Sequence, residues 1–171
     1  MTARREAALY AELDRLGVAH RTEEHEAVFT VAESAGVKAG LPGGHAKTLL
    51  VRDRTKPDAR LFLLVALGAT RVDLKAVGAA LGAKGRLSFA SPETLLEVLA
   101  ITPGSVTPFA LMADTDRRIE AVVLDAALTA HDPVWFHPLR NTASTAVSPE
   151  GLRRFCAAWA AEVREMALGS P

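Results

Sequence analysis

Cysteine is almost absent: the 171 residues contain one, Cys156. No disulfide can form within the chain, and neither a CxxC pair nor a Cys/His zinc spacing exists. The setting of that cysteine, RFCAAWA, is helical and Ala-rich, which predicts a small buried core residue and not a nucleophile. No apolar run is long enough to cross a bilayer, and the first residues lack the charged-then-apolar order of a secretory signal. The expectation is a cytoplasmic protein with no membrane partner. An excess of one charge is missing too, since 20 Lys and Arg balance 20 Asp and Glu. A whole-molecule field that would draw in nucleic acid is excluded, so a polyanion would have to be held by local clusters. The clusters are Arg52 to Lys56, Lys84 with Arg86, Arg117 with Arg118 and Arg153 with Arg154. Most such clusters are simply solvated turns.

Familiar catalytic signatures are missing as well. The five histidines, His20, His25, His45, His131 and His137, form no HExxH or other metal spacing, so the expectation is no metal and no cofactor. The glycine-rich GLPGGHAK lacks the GxxxxGK[ST] spacing of a phosphate-cradling loop, which excludes an ATPase of that type. No GxSxG elbow occurs, and no serine or cysteine stands in the context of an activated nucleophile.

What is present fits one domain spanning residues 1–171, long enough to bury a core without staples. Residues 3–16 carry apolar positions at helical spacing and stop at Gly17. VAHRTEEH reads as a strand, and Thr30 can cap a second helix, VAESAGV, with Glu33 in the capping-box position. AKTLLVRD and RLFLLVAL, separated by a polar turn containing KPD, predict a central hairpin. Thr70 to Leu81 fits a helix with Asp73 near its start, and SPETLLEVLA another, with Ser91 as cap and Pro92 at its first position. IEAVVLDAAL and PVWFHP predict strands, and a last helix is expected from Pro149, capped by Ser148, to about Met166. Helices and strands mix without strict alternation. That order predicts an α+β domain, with a single mixed, mostly antiparallel sheet or barrel-like core flanked by helices, and not a doubly wound parallel sheet.

Three stretches place small residues around a polar one. In GGHAKTLLV, Lys47 stands between a glycine turn and a buried strand, where a long ammonium side chain would ordinarily reach for water. In TPGSVTPFAL, Gly104, Ser105, Val106, Thr107 and Pro108 carry no long side chain, so successive backbone N–H groups can point into one space. Such a nest can hold a carbonyl oxygen as it gains charge, and losing one such donor costs about 3–4 kcal/mol in barrier. A rigid turn explains the same residues. The third stretch, FHPLRNT, brings together Phe136, His137, Arg140 and Asn141.

Taken together and in this order, GHAKTLLV, TPGSVTPFAL and VWFHPLRNTASTAVSPEGL resemble the YbaK/ProX family of aminoacyl-tRNA editing domains, most of all its free-standing prolyl-tRNA editing members. The resemblance covers nearly the whole chain. It implies a metal-free trans-editing hydrolase that cleaves the ester of mischarged aminoacyl-tRNA, foremost alanine on proline tRNA, with the tRNA acceptor end as partner and a transient contact with prolyl-tRNA synthetase. By resemblance, Lys47 meets the 3′-terminal adenosine and its phosphate, and backbone N–H groups of the loop from Gly104 to Pro108 polarise the ester carbonyl. His137 shapes the amino-acid pocket, with Phe136 and Asn141 beside it. Many members carry asparagine after the lysine, where this chain has Thr48. That departure keeps cysteine or serine open as the amino acid, and a non-catalytic tRNA- or synthetase-binding module is the reading from another class. The chemistry is consistent with the residues: a missing methylene is worth only about 1–3 kcal/mol in binding, so a second site for small side chains is needed. An aminoacyl ester is activated enough that orientation and carbonyl polarisation suffice. Arg140 and Lys84 or Arg86 are the candidates for phosphate contacts, with a structural pair between Arg140 and a carboxylate such as Asp132 as the alternative.

Overall fold

The computed structural model describes residues 1–27, 31–53 and 59–170. Helix α1 (Thr2–Arg15) is followed by β1 (His20–Glu24), α2 (Val31–Ala39), and a long strand β2 (Gly44–Asp53). Next come β3 (Leu61–Leu67), the short β4 (Arg71–Val72), α3 (Leu74–Ala80), β5 (Leu87–Phe89), α4 (Pro92–Leu99) and a 3-10 helix over Pro108–Ala113. The chain continues through β6 (Ile119–Asp125), α5 (Ala126–Thr129), β7 (Val134–Phe136), β8 (Ala143–Val147), α6 (Pro149–Trp159), β9 (Val163–Met166) and β10 (Gly169–Ser170). The expected capping box at Thr30 and the turn containing KPD lie outside the described residues.

The expected hairpin forms the centre. β2 and β3 pair antiparallel from Ala46 opposite Leu67 to Arg52 opposite Leu61. The main sheet has 8 strands in the path β1-β8-β7-β2-β3-β6-β9, with β5 also on β2. It is mixed, with β2·β7, β3·β6 and β6·β9 parallel and the other ladders antiparallel. β10 pairs separately with β4.

The sequence of β3, LFLLVAL, explains the layering. Alternate residues of a strand face opposite ways, and here both faces are covered. Leu61, Leu63 and Val65 join a core with Leu9, Leu13, Phe109, Leu152 and Phe155, under α1, the 3-10 helix and α6. Phe62, Leu64 and Ala66 join a second core with Val77, Leu81, Leu87 and Leu168, under α3. A strand buried on both faces has to be continuously apolar, and each such side chain contributes about 1.5–3 kcal/mol by leaving water. Cys156 is fully buried in the first of these cores, and burial pushes its thiol up to about 12, as a core residue requires.

Caps start the helices where expected. Asp73 accepts from the N–H groups of Lys75 and Ala76, Ser91 from Thr94, and Ser148 from Gly151. Two expectations are corrected. The helix from Thr70 starts only at Leu74, because Arg71 and Val72 pair with β10. The last helix ends at Trp159, with Ala160 extended, and Val163–Met166 turns back to pair parallel with β6. Strong helix formers there are overridden by the open edge of β6.

Asp125, only 1% exposed, joins the ends of these elements. Its Oδ2 accepts from Thr70 Oγ1 at 2.7 Å and Leu67 N at 3.1 Å, and its Oδ1 from Ala127 N at 3.2 Å and Leu168 N at 3.4 Å. Asp125→Asn keeps the shape but turns an NH2 group toward two of those donors. Since bonds to a charged partner contribute about 1.5–3 kcal/mol each, the urea midpoint is expected to fall by an amount equivalent to about 2–3 kcal/mol with unchanged slope. An unaltered midpoint would show that this carboxylate holds nothing together.

Candidate functional site

Two glycines set the site by letting the backbone approach closely. A Cβ on Gly43, whose φ is +128°, would lie 2.3 Å from the Pro133 carbonyl oxygen, and one on Gly44 2.7 Å from His131 Cβ. The start of β2 therefore presses against residues 131–134, with Gly44 N donating to Pro133 O at 2.9 Å. The glycines before Lys47 are therefore tight packing positions and not a loose turn. The loop before them is pinned by Trp135 Nε1 donating to Pro42 O at 3.0 Å and by His45 Nε2 on Leu41 O at 2.6 Å. Burial lowers the pKa of His45, so the neutral ring donates through Nε2.

On one edge β2 pairs with β3, and on the other with β7 at Gly44 and His45, then with β5 from Val51 to Asp53. Between those two partners the second edge is released, and a cavity of about 230 Å³ opens at the β7 end. His45, Ala46 and Lys47 from β2 line it, with Lys38 and neighbours from α2, Trp135, Phe136 and His137 from β7 and the turn after it, and His25 and Ser144 from the β1–β8 ladder.

Strand alternation puts Lys47 on the face it shares with Leu49 and Val51. Its Nζ donates to the carbonyl oxygen of Thr70, the residue whose hydroxyl is held by Asp125. An ammonium has three donors, so this one bond orients Lys47 without exhausting it. Lys38 Nζ lies 3.5 Å from where a Cβ on Gly68 would be, beside the β2–β3 junction. Neither lysine forms an ion pair among the described residues.

The imidazoles can be assigned their protons by chemistry. His137 Nδ1 lies 3.0 Å from Ala143 O, which can only accept, so Nδ1 carries the hydrogen. Burial is the main cause of its lowered pKa, with His25 and Lys38 adding to it. The ring is neutral at pH 7, and its Nε2 is an acceptor. His25 stands 6.2 Å from His137 between ring centroids. Its Nδ1 is 2.8 Å from Glu26 O and its Nε2 2.9 Å from Ser144 Oγ. Among the described residues no group of three His, Cys, Asp or Glu is arranged to hold a metal ion.

Of the residues singled out in the sequence, the structure brings Lys47, Phe136 and His137 together in the cavity wall. Thr48, two residues along the strand from the cavity-lining Ala46 and on the same face, is only 8% exposed and does not itself line the cavity. Gly104, Ser105, Val106, Thr107 and Pro108 lie outside the lining. Gly104 is at the surface with φ +90°, Thr107 is buried and caps the 3-10 helix through Phe109 N, and Phe109 packs edge-on against Phe136 at 5.5 Å. The loop stands one aromatic ring behind the cavity. Asn141, partly buried, is also outside the lining. Arg140 is taken up by carboxylates: Nε and Nη2 bond Glu6 at 2.7 and 3.0 Å, while Nη1 and Nη2 bond Glu24 at 2.8 and 2.5 Å. The structural pair considered for it is therefore realised, with Glu6 and Glu24 in place of Asp132. Lys84 and Arg86 flank β5 at the Asp53 end of β2, where Leu87 stands opposite Asp53. That is six residues from Lys47, about 20 Å along a strand.

Lys38, His25 and Ser144 were not singled out in the sequence. Ser144 lies opposite Glu23 in the β1–β8 register, with His25 its diagonal neighbour on the same face. Only that pairing, across 119 positions, reveals them.

A mixed α+β domain with a cation-flanked cavity at the end of a central hairpin is the class this architecture defines. Residues 25–155 match the family model for the aminoacyl-tRNA editing domain, and the chain belongs to that family. It is 38% identical over 148 residues to the mouse prolyl-tRNA synthetase associated domain-containing protein 1, covering 83% of this chain and 86% of that one. With the prolyl-tRNA editing protein ProX of Acetoanaerobium sticklandii the identity is 32% over 147 residues, covering 86% and 87%. A solved structure described as a candidate trans-editing enzyme for prolyl-tRNA synthetase shares the fold at a TM-score of 0.75 and 20% identity, covering 99% of this chain and 98% of that one.

The Arg140 cluster can be tested through pH. Hydrogen bonding from Arg140 is the largest cause holding the Glu6 carboxyl below its usual range, against the opposing effect of burial. A depressed carboxylate contributes stability that is present above its unfolded pKa and lost as pH falls through the folded one. Arg140→Met is expected to cost about 1–2 kcal/mol at pH 7 and to flatten the decline below about pH 4.5, both read from urea midpoints across pH. An equally steep decline in the variant would mean that another group sets the acid sensitivity.

Proposed function

We propose that the protein is a hydrolase that removes a small amino acid, foremost alanine, from a mischarged tRNA, proline tRNA first among them. The observation that carries this reading is that two ammonium groups with no ion pair among the described residues, Lys38 and Lys47, meet His25, His45 and His137 and an aromatic wall in one small cavity. The lysines suit the phosphate and ribose of a 3′ end. The Trp135 and Phe136 side suits a short apolar side chain, and the volume admits an aminoacyl group with the adjoining sugar. Family membership and the names of the relatives support a tRNA ester as substrate, with prolyl-tRNA synthetase as a transient partner.

In this reading the ester is cleaved by water without a metal. The Gly104 to Pro108 loop, to which the family resemblance assigns carbonyl polarisation, stands behind Phe109 and Phe136, so in this reading it supports the cavity wall and does not touch the ester directly. Thr48 lies outside the lining, so the choice of amino acid is assigned to residues that do line it, His137 above all.

Purified protein incubated with alanyl-, cysteinyl-, seryl- and prolyl-tRNA is expected to release alanine fastest from alanyl-tRNA(Pro), in EDTA as in its absence. No ester loss above the buffer rate on any of them would leave a binding module as the reading. Lys47→Ala is expected to lower kcat/KM by about 10- to 100-fold, the equivalent of one charge-assisted contact.

His137→Ala tests the pocket separately. It is expected to change the ranking of amino acids removed while tRNA affinity stays close to that of the parent protein. An unchanged ranking would count against its role in the wall.

A further inference from the structure

The pair His25 and Ser144 has the geometry of a proton acceptor aimed into the cavity. Glu26 O can only accept a hydrogen bond, so at 2.8 Å it fixes the proton of a neutral His25 on Nδ1. The lone pair on Nε2 is then directed at Ser144 Oγ, 2.9 Å away. A base, an orienting group behind it and a hydroxyl in front of it are the parts sought in an active site, and both His25 and Ser144 line the cavity. The neighbouring residue shows that the arrangement is not a general feature of the ladder. Thr145, on the opposite face of β8, bonds Thr22 Oγ1 at 2.7 Å and is fully buried.

We infer that His25, acting through Ser144, takes the proton from the water that attacks the ester. This rests on the reading of the cavity as an esterase site. Water oxygen bonds to the carbonyl carbon as its proton passes to Ser144 Oγ and the Ser144 proton passes to His25 Nε2. When the carbonyl carbon–O3′ bond breaks, the proton returns by the same route to the departing oxygen, giving free amino acid and a tRNA 3′-hydroxyl. Ser144 touches the reacting water and is the catalytic residue, while His25 sets its basicity. Ser144 serves as relay and not as nucleophile because it sits in the middle of a regular strand with 7% exposure. No sharp turn lifts its Oγ toward a carbonyl carbon, whereas a water molecule is small enough to reach it. The ring of His25 faces His137 from the turn after β7, Lys38 and Lys47 line the same cavity from α2 and β2, and Glu24 and Glu26 flank it in the chain.

The test uses the full chain and the mischarged tRNA that it hydrolyses fastest. His25→Gln and Ser144→Ala are each expected to lower kcat by about 10²- to 10⁴-fold, the usual range for general base catalysis, with KM and tRNA affinity held within about 2-fold. The double variant is expected to be no slower than the worse single one, since the two act as a unit. The acid limb of the kcat profile should vanish in His25→Gln. Unchanged circular dichroism and thermal midpoint exclude misfolding, and Ser144→Thr, which keeps a hydroxyl, should recover part of the rate. Single variants with parental kcat, or an acyl group trapped on Ser144 in quenched reactions, would overturn the relay while leaving the esterase reading intact. An inactive parent protein would instead overturn the esterase reading itself.

Discussion

The buried carboxylate of Asp125 is the constraint on which the site depends. A charge 1% exposed is tolerable only with its oxygens occupied, and here the donors come from four places: the end of β3, Thr70 beyond it, the start of α5 and Leu168 between β9 and β10. The carboxylate therefore fixes where the hairpin ends relative to the parallel strands beside it. Thr70 is held by its hydroxyl, which leaves its carbonyl oxygen presented to Lys47. A lysine on a strand among apolar neighbours thus keeps its ammonium near the cavity by a bond to a backbone atom that is itself anchored. The geometry of the cavity inherits its stiffness from an acid that does not line it.

The cavity follows from a second constraint, the division of one strand edge between two partners. β7 takes the first residues of β2 and β5 the last. Gly43 and Gly44 allow β7 and the turn before it to come close enough to pair, and the release of that edge beyond His45 opens the space. Leu139, with φ +68° and 8% exposure, and Arg140, bonded to Glu6 and Glu24, hold the turn that carries His137. A left-handed non-glycine residue is costly, and its buried side chain and the ion-pair cluster beside it offset that cost.

Local signals carried most of the fold. The apolar run of β3, the hydroxyl and carboxylate caps at Asp73, Ser91 and Ser148, and the Ala-rich surroundings of Cys156 each act within a few residues, so each is visible in the chain. Val163–Met166 is not, because glutamate, arginine and methionine favour a helix and only the vacant edge of β6 makes a strand of them. The site was legible where one residue was out of place for its surroundings, as Lys47 was. It was not legible where meaning depends on register: His25 and Ser144 meet only across the β1–β8 ladder, Arg140 finds Glu6 rather than Asp132, and the glycines answer to Pro133 and His131, some ninety positions away.

Zero net charge conceals an uneven distribution that bears on the site. Eight arginines occur in ion pairs among the described residues, and no described lysine does. The division matches their chemistry: the planar guanidinium pairs carboxylates through two parallel bonds and loses little by being held, whereas an ammonium is a compact, strongly hydrated charge on a flexible stem. Among the described residues arginine thereby takes up the carboxylates of Glu6, Glu12, Glu23, Glu24, Glu97, Glu120, Glu150, Glu162 and Glu165. The two lysines at the cavity are among the cations that form no ion pair among the described residues, as are Arg71, Lys75 and Arg86 in a separate groove, and their field acts within about a Debye length of 8 Å. An anion near the cavity meets Lys38 and Lys47 without an intervening carboxylate partner on either, so a zero net charge still leaves a local positive field at one end of the hairpin.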